Sequence, residues 1–182
     1  ELNIALFSAF GVNAGDIDAY VAAHQLLIAY QGVPGLYLNA LLGSMNDVKQ
    51  MEITGRTRSI NRGSWSAEEL AERLADPESL NARIFDRLSQ SLKIRADQRA
   101  FAPTARQRFV EGGKDHLMFL RSDEKQRLLI VASFSAEPQK IDWPSGLSMS
   151  SAMAKDLLTN VPHAADQPLS LASHQVLWLE LG

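Results

Sequence analysis

The stretch GVPGLYLNALLGSMNDVKQMEITGRTRSINR, Gly32 to Arg62, decides how this chain is organised. It starts as a short apolar run, Val33 to Leu42, with a proline near its start. It then turns polar and basic, with no helical or strand period. The apolar run predicts a buried strand over 34–41. The remainder, 43–65, reads as a long loop leaving that strand's C-terminal end. Helical patterns lie on both sides. A strand between helices points to a parallel α/β layer, where ligands meet the loops at the C-terminal ends of strands. A loop of this length is usually functional or disordered, so the functional residues are expected here.

On the N-terminal side, residues 1–15 read as irregular, and Asp16 is a fair N-cap. A helix follows over 16–31, because Ile17, Tyr20, Val21, His24 and Ile28 share one face at helical spacing. Leu26, Leu27 and Tyr30 widen that face. Gly32 stops the helix and Pro34 cannot extend it. On the C-terminal side, Ser66-Ala67-Glu68-Glu69 is a capping box before a short helix through Leu70 and Leu74. Asp76-Pro77 predicts the start of a helix over 77–96, with Leu80, Ile84, Leu88 and Leu92 inward and Arg83, Arg87 and Lys93 outward. Pro103 ends this pattern. Short strand-like runs follow at 106–110, 116–121, 126–134, 156–159, 169–171 and 175–181. Strands without helices between them imply an antiparallel sandwich. The expected division is therefore an α/β part over 1–100 and a β-domain over 101–182.

The bulk composition is that of a globular protein: 46% hydrophobic and 21% charged among 182 residues, enough to bury a core. A net charge of -3 implies neither a nucleic-acid nor a membrane partner. With no cysteine there is no disulfide or thiolate metal site; this fits a reducing compartment, and a cytoplasmic location is the expectation. Glu1-Leu2-Asn3-Ile4 carries no initiator Met, charged leader or signal pattern, so a C-terminal piece of something longer is expected.

Four histidines, at 24, 116, 163 and 174, show no i+3 or i+4 pair for a metal. His24 sits on a helix stripe and reads as a packing residue. No GxSxG elbow supports a serine triad, and the glycines form neither a GxGxxG nor a Walker motif. The loop arginines are better candidates. Arg56, Arg58 and Arg62 can fork hydrogen bonds to carboxylates, phosphates or sugar hydroxyls. As surface charges they would simply be solvated, or pair with Asp47 and Glu52. Their setting beside Asn46, Asp47 and Asn61, side chains that grip polyhydroxylated ligands, favours a site.

These residues carry a resemblance. Gly32-Val33-Pro34-Gly35-Leu36-Tyr37 resembles the strand-eight signature of the α-amylase superfamily. Leu41-Leu42-Gly43-Ser44-Met45-Asn46-Asp47 and Gly55-Arg56-Thr57-Arg58-Ser59-Ile60-Asn61-Arg62 narrow the match to the branch of sucrose and glucosylglycerate phosphorylases. The Arg-x-Ile-Asn-Arg element, Arg58 to Arg62, is its most specific part. Asp156-Leu157-Leu158-Thr159 and Gln175-Val176-Leu177-Trp178-Leu179 are similar to the family's closing β-domain. The resemblance implies a C-terminal fragment of a (β/α)8 barrel followed by an antiparallel β-sandwich domain. It implies a retaining enzyme that moves a glucosyl group from an α-glucoside to phosphate through a carboxylate pair, with phosphate as co-substrate and no cofactor. It also implies that the nucleophile, the acid/base and the stabilising carboxylate lie at barrel strands four, five and seven. Those strands belong to an N-terminal barrel portion preceding this chain, so no catalytic role falls on any residue here. Arg62 takes the family's place at the glucosyl subsite, with Asn61 and Arg58 as neighbours and Asp47 nearby. Glu1 and Asn3 take the place of a loop bordering the acceptor site. A hydrolase or transglucosidase of the superfamily is the alternative. A non-catalytic binding or structural module is the alternative of another class; against it, one barrel strand cannot close a sheet.

Overall fold

The computed structural model describes residues 3–11, 17–110 and 112–181. Helices come first: α1 (Leu6–Ala9), α2 (Asp18–Ala29), α3 (Leu38–Leu41), α4 (Val48–Thr54), α5 (Ala67–Ala75) and α6 (Leu80–Ala96). A 3₁₀ turn, Thr57–Asn61, lies between α4 and α5, and another, Arg99–Phe101, follows α6. Strands follow: β1 (Arg106–Phe109), β2 (His116–Ser122), β3 (Arg127–Ser133), β4 (Gln139–Ile141), β5 (Met153–Asp156), β6 (Pro162–Ala164), β7 (Leu169–Leu171) and β8 (Val176–Glu180). The chain divides into two compact units, Glu1–Val21 with Gly35–Gln90, and Ala22–Pro34 with Ser91–Gly182.

The core of the first unit is Phe7, Ile17, Tyr20, Val21, Ile84 and Leu88, with Leu41 and Leu80 against it. Ile17, Tyr20, Val21, Ile84 and Leu88, read from the sequence as inward, are buried, whereas Leu27, expected to widen the first stripe, is 47% exposed. Tyr20 also ties down α3, its hydroxyl donating to the Ala40 carbonyl at 2.5 Å. Arg87 pairs with Asp18 at 2.6 Å on the surface.

Three expectations need correction here. The strand expected over 34–41 is not one. Residues 33–37 carry no regular secondary structure and no ladder partner, and Leu38–Leu41 is a helical turn closed by Leu41 N–H and Leu42 N–H. An extended segment becomes a strand only when neighbours take its N–H and C=O groups; among the described residues none pairs with it, and Val33 is 82% exposed. The region 43–65 is not one open loop, because it holds α4 and a 3₁₀ turn. Asp47 caps α4, its Oδ1 accepting from Gln50 N–H at 2.8 Å, and Gly55 closes it at φ 63°. No residue of α4 is buried, so it has no hydrophobic stripe to betray it. Finally, α6 starts at Leu80 and not at 77. Ser79 is the cap, its Oγ accepting from Ala82 N–H at 3.0 Å, while Asp76 Oδ1 holds Glu78 N–H in a preceding turn. The cap of α5 is as read: Ser66 Oγ accepts from Glu69 N–H at 3.0 Å. The N-cap expected at Asp16 lies outside the described residues.

The second unit is an antiparallel sandwich. One sheet runs β1-β2-β3-β8-β5-β6, and a smaller one pairs β4 with β7. Alternation along the strands sends Met118, Leu129, Val131, Leu177 and Leu179 to the face shared with Ile141, Leu169 and Leu171 of the small sheet. The opposite face carries Phe119, Arg121, Ile130 and Trp178, in register across β2, β3 and β8. It is covered as well: Tyr30 stacks on Phe119 at 5.1 Å and Phe101 meets Trp178 edge-on at 4.9 Å. That double covering is why the central strand β3 is apolar on both faces.

Two buried arginines fasten that cover. Arg95 donates to the carbonyls of Ile28, Gly32 and Phe101, and Arg121 to those of Ala29, Ala102 and Ala105. Both guanidinium groups flank the Phe101 ring, at 5.1 and 5.8 Å. Burial lowers the pKa of both. Arg121, which also feels the Arg95 charge, falls to about 10.

The strand expected at 156–159 is displaced. The strand is 153–156, and residues 157–159 turn. Buried Asp156 makes that turn, accepting from Leu158 N–H, Thr159 N–H and the Thr159 hydroxyl. It also accepts from Trp178 N–H at 2.9 Å, tying β5 to β8. A hairpin turn joins β2 to β3, with Asp123 Oδ1 accepting from Lys125 N–H and Gln126 N–H.

Candidate functional site

The local fold after residue 37 gathers the predicted residues. Tyr37 precedes α3, and its carbonyl accepts from Ala40 N–H and Leu41 N–H. The 3₁₀ turn Thr57–Asn61 presents Arg58 and Asn61, and Arg62 follows directly as its C-cap, its N–H donating to Ser59 O at 3.1 Å. Tyr37, Arg58, Asn61 and Arg62 line one open hollow of about 360 Å³. The lining is two guanidinium groups, one carboxamide and one phenol. Such a set donates to sugar hydroxyls or anionic oxygens and offers one apolar ring face.

The other predicted residues stand behind this lining. Asp47 is half-buried. Its side chain caps α4, and its N–H donates to Ile60 O at 2.7 Å, holding the turn from below. Asn3 donates to Thr57 Oγ1 at 3.3 Å, at the start of the turn. Its Oδ1 is buried without a hydrogen-bond partner. Asn46, named with the loop, is structural: its Oδ1 accepts from Ala5 N–H at 2.7 Å and its N–H donates to Ser8 Oγ. Glu1 lies outside the described residues. Arg56 is exposed and does not line the hollow. His24 is buried and belongs to the second unit.

Tyr37 is the residue that sequence reasoning missed. The apolar run placed it inside a strand, where alternation gives no reason to select one aromatic. Its signal was present: an aromatic one residue beyond Gly32-Val33-Pro34-Gly35, a few residues ahead of the polar segment.

Among the described residues no cluster of three or more His, Asp or Glu side chains could hold a metal ion. No helix among them is long and apolar enough to cross a membrane.

Comparison with known proteins gives the class. Residues 107–178 match the family described as maltogenic amylase, C-terminal domain. The trehalose-6-phosphate hydrolase of Bacillus licheniformis shares the fold, with a TM-score of 0.70 over 93% of this chain and 40% of that one, at 17% identity. The fold is that of the C-terminal part of an α-amylase-superfamily enzyme, barrel elements followed by an antiparallel β-sandwich. The branch follows from sequence. Glucosylglycerate phosphorylase of Spirochaeta thermophila is 31% identical over 194 residues, covering 98% of this chain and 33% of the relative. That of Allomeiothermus silvanus is 33% identical over 147 residues, covering 78% and 26%. The chain belongs to the sucrose phosphorylase branch of the α-amylase superfamily. It spans a third or less of the length of these two relatives.

Proposed function

We propose that this chain is the C-terminal part of a retaining α-glucoside phosphorylase, which moves a glucosyl group from an α-glucoside to inorganic phosphate. In that reaction the C1–O bond of the glucoside breaks, its acceptor leaves with a proton, and C1 ends on a phosphate oxygen as glucose 1-phosphate. The observation that carries this is the hollow lined by Arg58, Asn61 and Arg62 in a chain whose relatives are phosphorylases. Residues 1–100 would form the last part of the barrel and 101–182 the β-domain. The enzyme would be cytoplasmic, with an α-glucoside and phosphate as its small-molecule partners.

In this proposal Arg62 donates to glucosyl hydroxyls and Asn61 and Arg58 border the same sugar. Asp47 and Asn3 act as positioning residues through the turn, and Glu1 borders the acceptor side. The covalent step belongs to carboxylates outside this chain.

The test is phosphorolysis by the full-length enzyme, read as glucose 1-phosphate released from glucosylglycerate or sucrose. Losing a charged hydrogen bond in a desolvated site costs roughly 1.5–3 kcal/mol, so Arg62→Ala lowers kcat/KM about ten- to a hundredfold. Arg62→Lys restores little, because an ammonium lacks the planar fork. Arg83→Ala, at an exposed position on α6, changes neither activity nor Tm. Release of free glucose in place of glucose 1-phosphate would turn the assignment to a hydrolase. Wild-type kcat/KM in Arg62→Ala would remove Arg62 from the site.

A further inference from the structure

The lining of the hollow contains one side chain that no hydrogen-bonding role explains. Tyr37 is 56% exposed, whereas Tyr20 is fully buried. Tyr20 packs its ring on Phe7 and Phe10, and Tyr30 packs on Phe109 and Phe119. Among the described residues the Tyr37 ring has no aromatic contact and its hydroxyl no hydrogen bond. Its place in the chain adds to this. Tyr37 is the N-cap of α3, with φ -72° and ψ 135°, and no side-chain bond to the helix. That position favours Ser, Thr, Asp or Asn, whose oxygens satisfy the first N–H groups. A phenol does nothing there for the helix.

The backbone beneath the ring is nonetheless firm. The Tyr37 carbonyl holds Ala40 N–H at 2.9 Å and Leu41 N–H at 3.0 Å, and the Ala40 carbonyl is held in turn by the buried Tyr20 hydroxyl. A large amphipathic ring on a fixed stem, beside two guanidinium groups and a carboxamide, matches the two-sided chemistry of a pyranose. Hydroxyls at the sugar's rim take the polar donors. Its C–H face needs an apolar plane, which an aromatic ring supplies at low entropic cost.

We infer that Tyr37 is a sugar-contacting residue, its ring packing on the C–H face of the glucosyl unit whose hydroxyls take Arg62 and Asn61. This rests on the site proposed above but not on the identity of the acceptor.

The experiment uses the full-length enzyme and D-glucose as the probe, so that binding is read apart from phosphate transfer. In the wild type, NMR on ring-labelled tyrosine shows contacts between sugar C–H protons and one tyrosine ring, and that signal is lost in Tyr37→Leu. Calorimetry shows Tyr37→Leu binding D-glucose about tenfold more weakly, while Tyr37→Phe, which keeps the ring, stays within about twofold. No contact to a tyrosine ring in the wild type, or no glucose binding at all, overturns the inference, as does unchanged affinity in Tyr37→Leu. If the enzyme binds glucose through Tyr37 yet releases no glucose 1-phosphate, the phosphorylase assignment fails and the contact stands.

Discussion

Tyr20 shows how one side chain can join a helix, a turn and a pH dependence. Its ring fills the first core and its hydroxyl reaches the Ala40 carbonyl. Burial raises its pKa well above the ordinary tyrosine value, because the phenolate would be desolvated. In the unfolded chain tyrosine ionises near about 10. Above that pH the unfolded state holds fewer protons than the folded one, so stability falls as pH rises; below it the contribution is complete. Tyr20→Phe is expected to cost about 1 kcal/mol at pH 8, where the Ala40 carbonyl loses its donor. The gap between wild type and variant should then narrow as pH climbs toward 11, in urea titrations followed by circular dichroism. Parallel stability profiles across that range would show that the phenol does not titrate with unfolding. The opposite sign applies to Asp123. Backbone N–H donors from Lys125 and then Gln126, with Arg99 beside them, hold its carboxyl below the usual range, so its support for the hairpin is lost as acid is added.

At the scale of elements, the turn after α3 is tightly specified. Gly43 sits at φ 61°, and a Cβ there would lie 2.4 Å from Ile84 Cδ1, inside the core made by α6. Gly43→Ala therefore meets both left-handed strain and overpacking, for a cost of about 2–3 kcal/mol. Ile84→Val removes the offending methyl. The double variant should be more stable than the sum of the two single losses predicts, by roughly 0.5–1 kcal/mol. Strict additivity in denaturant titrations would mean that the Ile84 side chain turns aside without cost. This geometry matters for the hollow, because the same short turn leads from Tyr37 to Asp47, the cap that carries Ile60 and the arginine-bearing turn behind it.

For the molecule as a whole, the proposed phosphorylase entails that the purified 182-residue chain releases no glucose 1-phosphate from glucosylglycerate or sucrose. A retaining mechanism needs two carboxylates about 5 Å apart around the anomeric carbon, and the family's pair is expected outside this stretch. Measurable product from the purified chain would sink that expectation. What the sequence determined unaided is considerable. The 3.6-residue stripes of α2 and α6 named Ile17, Tyr20, Val21, Ile84 and Leu88 as core, and they are, because a helix's burial is set by local spacing. The helix-to-strand switch near Pro103 was legible too, because the helical period stops there and short apolar runs follow. The Arg-x-Ile-Asn-Arg element pointed to residues that do meet at one hollow. Only tertiary structure decided the rest. Whether 34–41 forms a strand depends on partners for its backbone, which no local pattern contains. Residues 48–54 form a helix through a cap and a glycine stop, without the apolar stripe that would announce it. Tyr37 joined the arginines only because α3 and the 3₁₀ turn, some twenty residues apart in the chain, close on the same hollow.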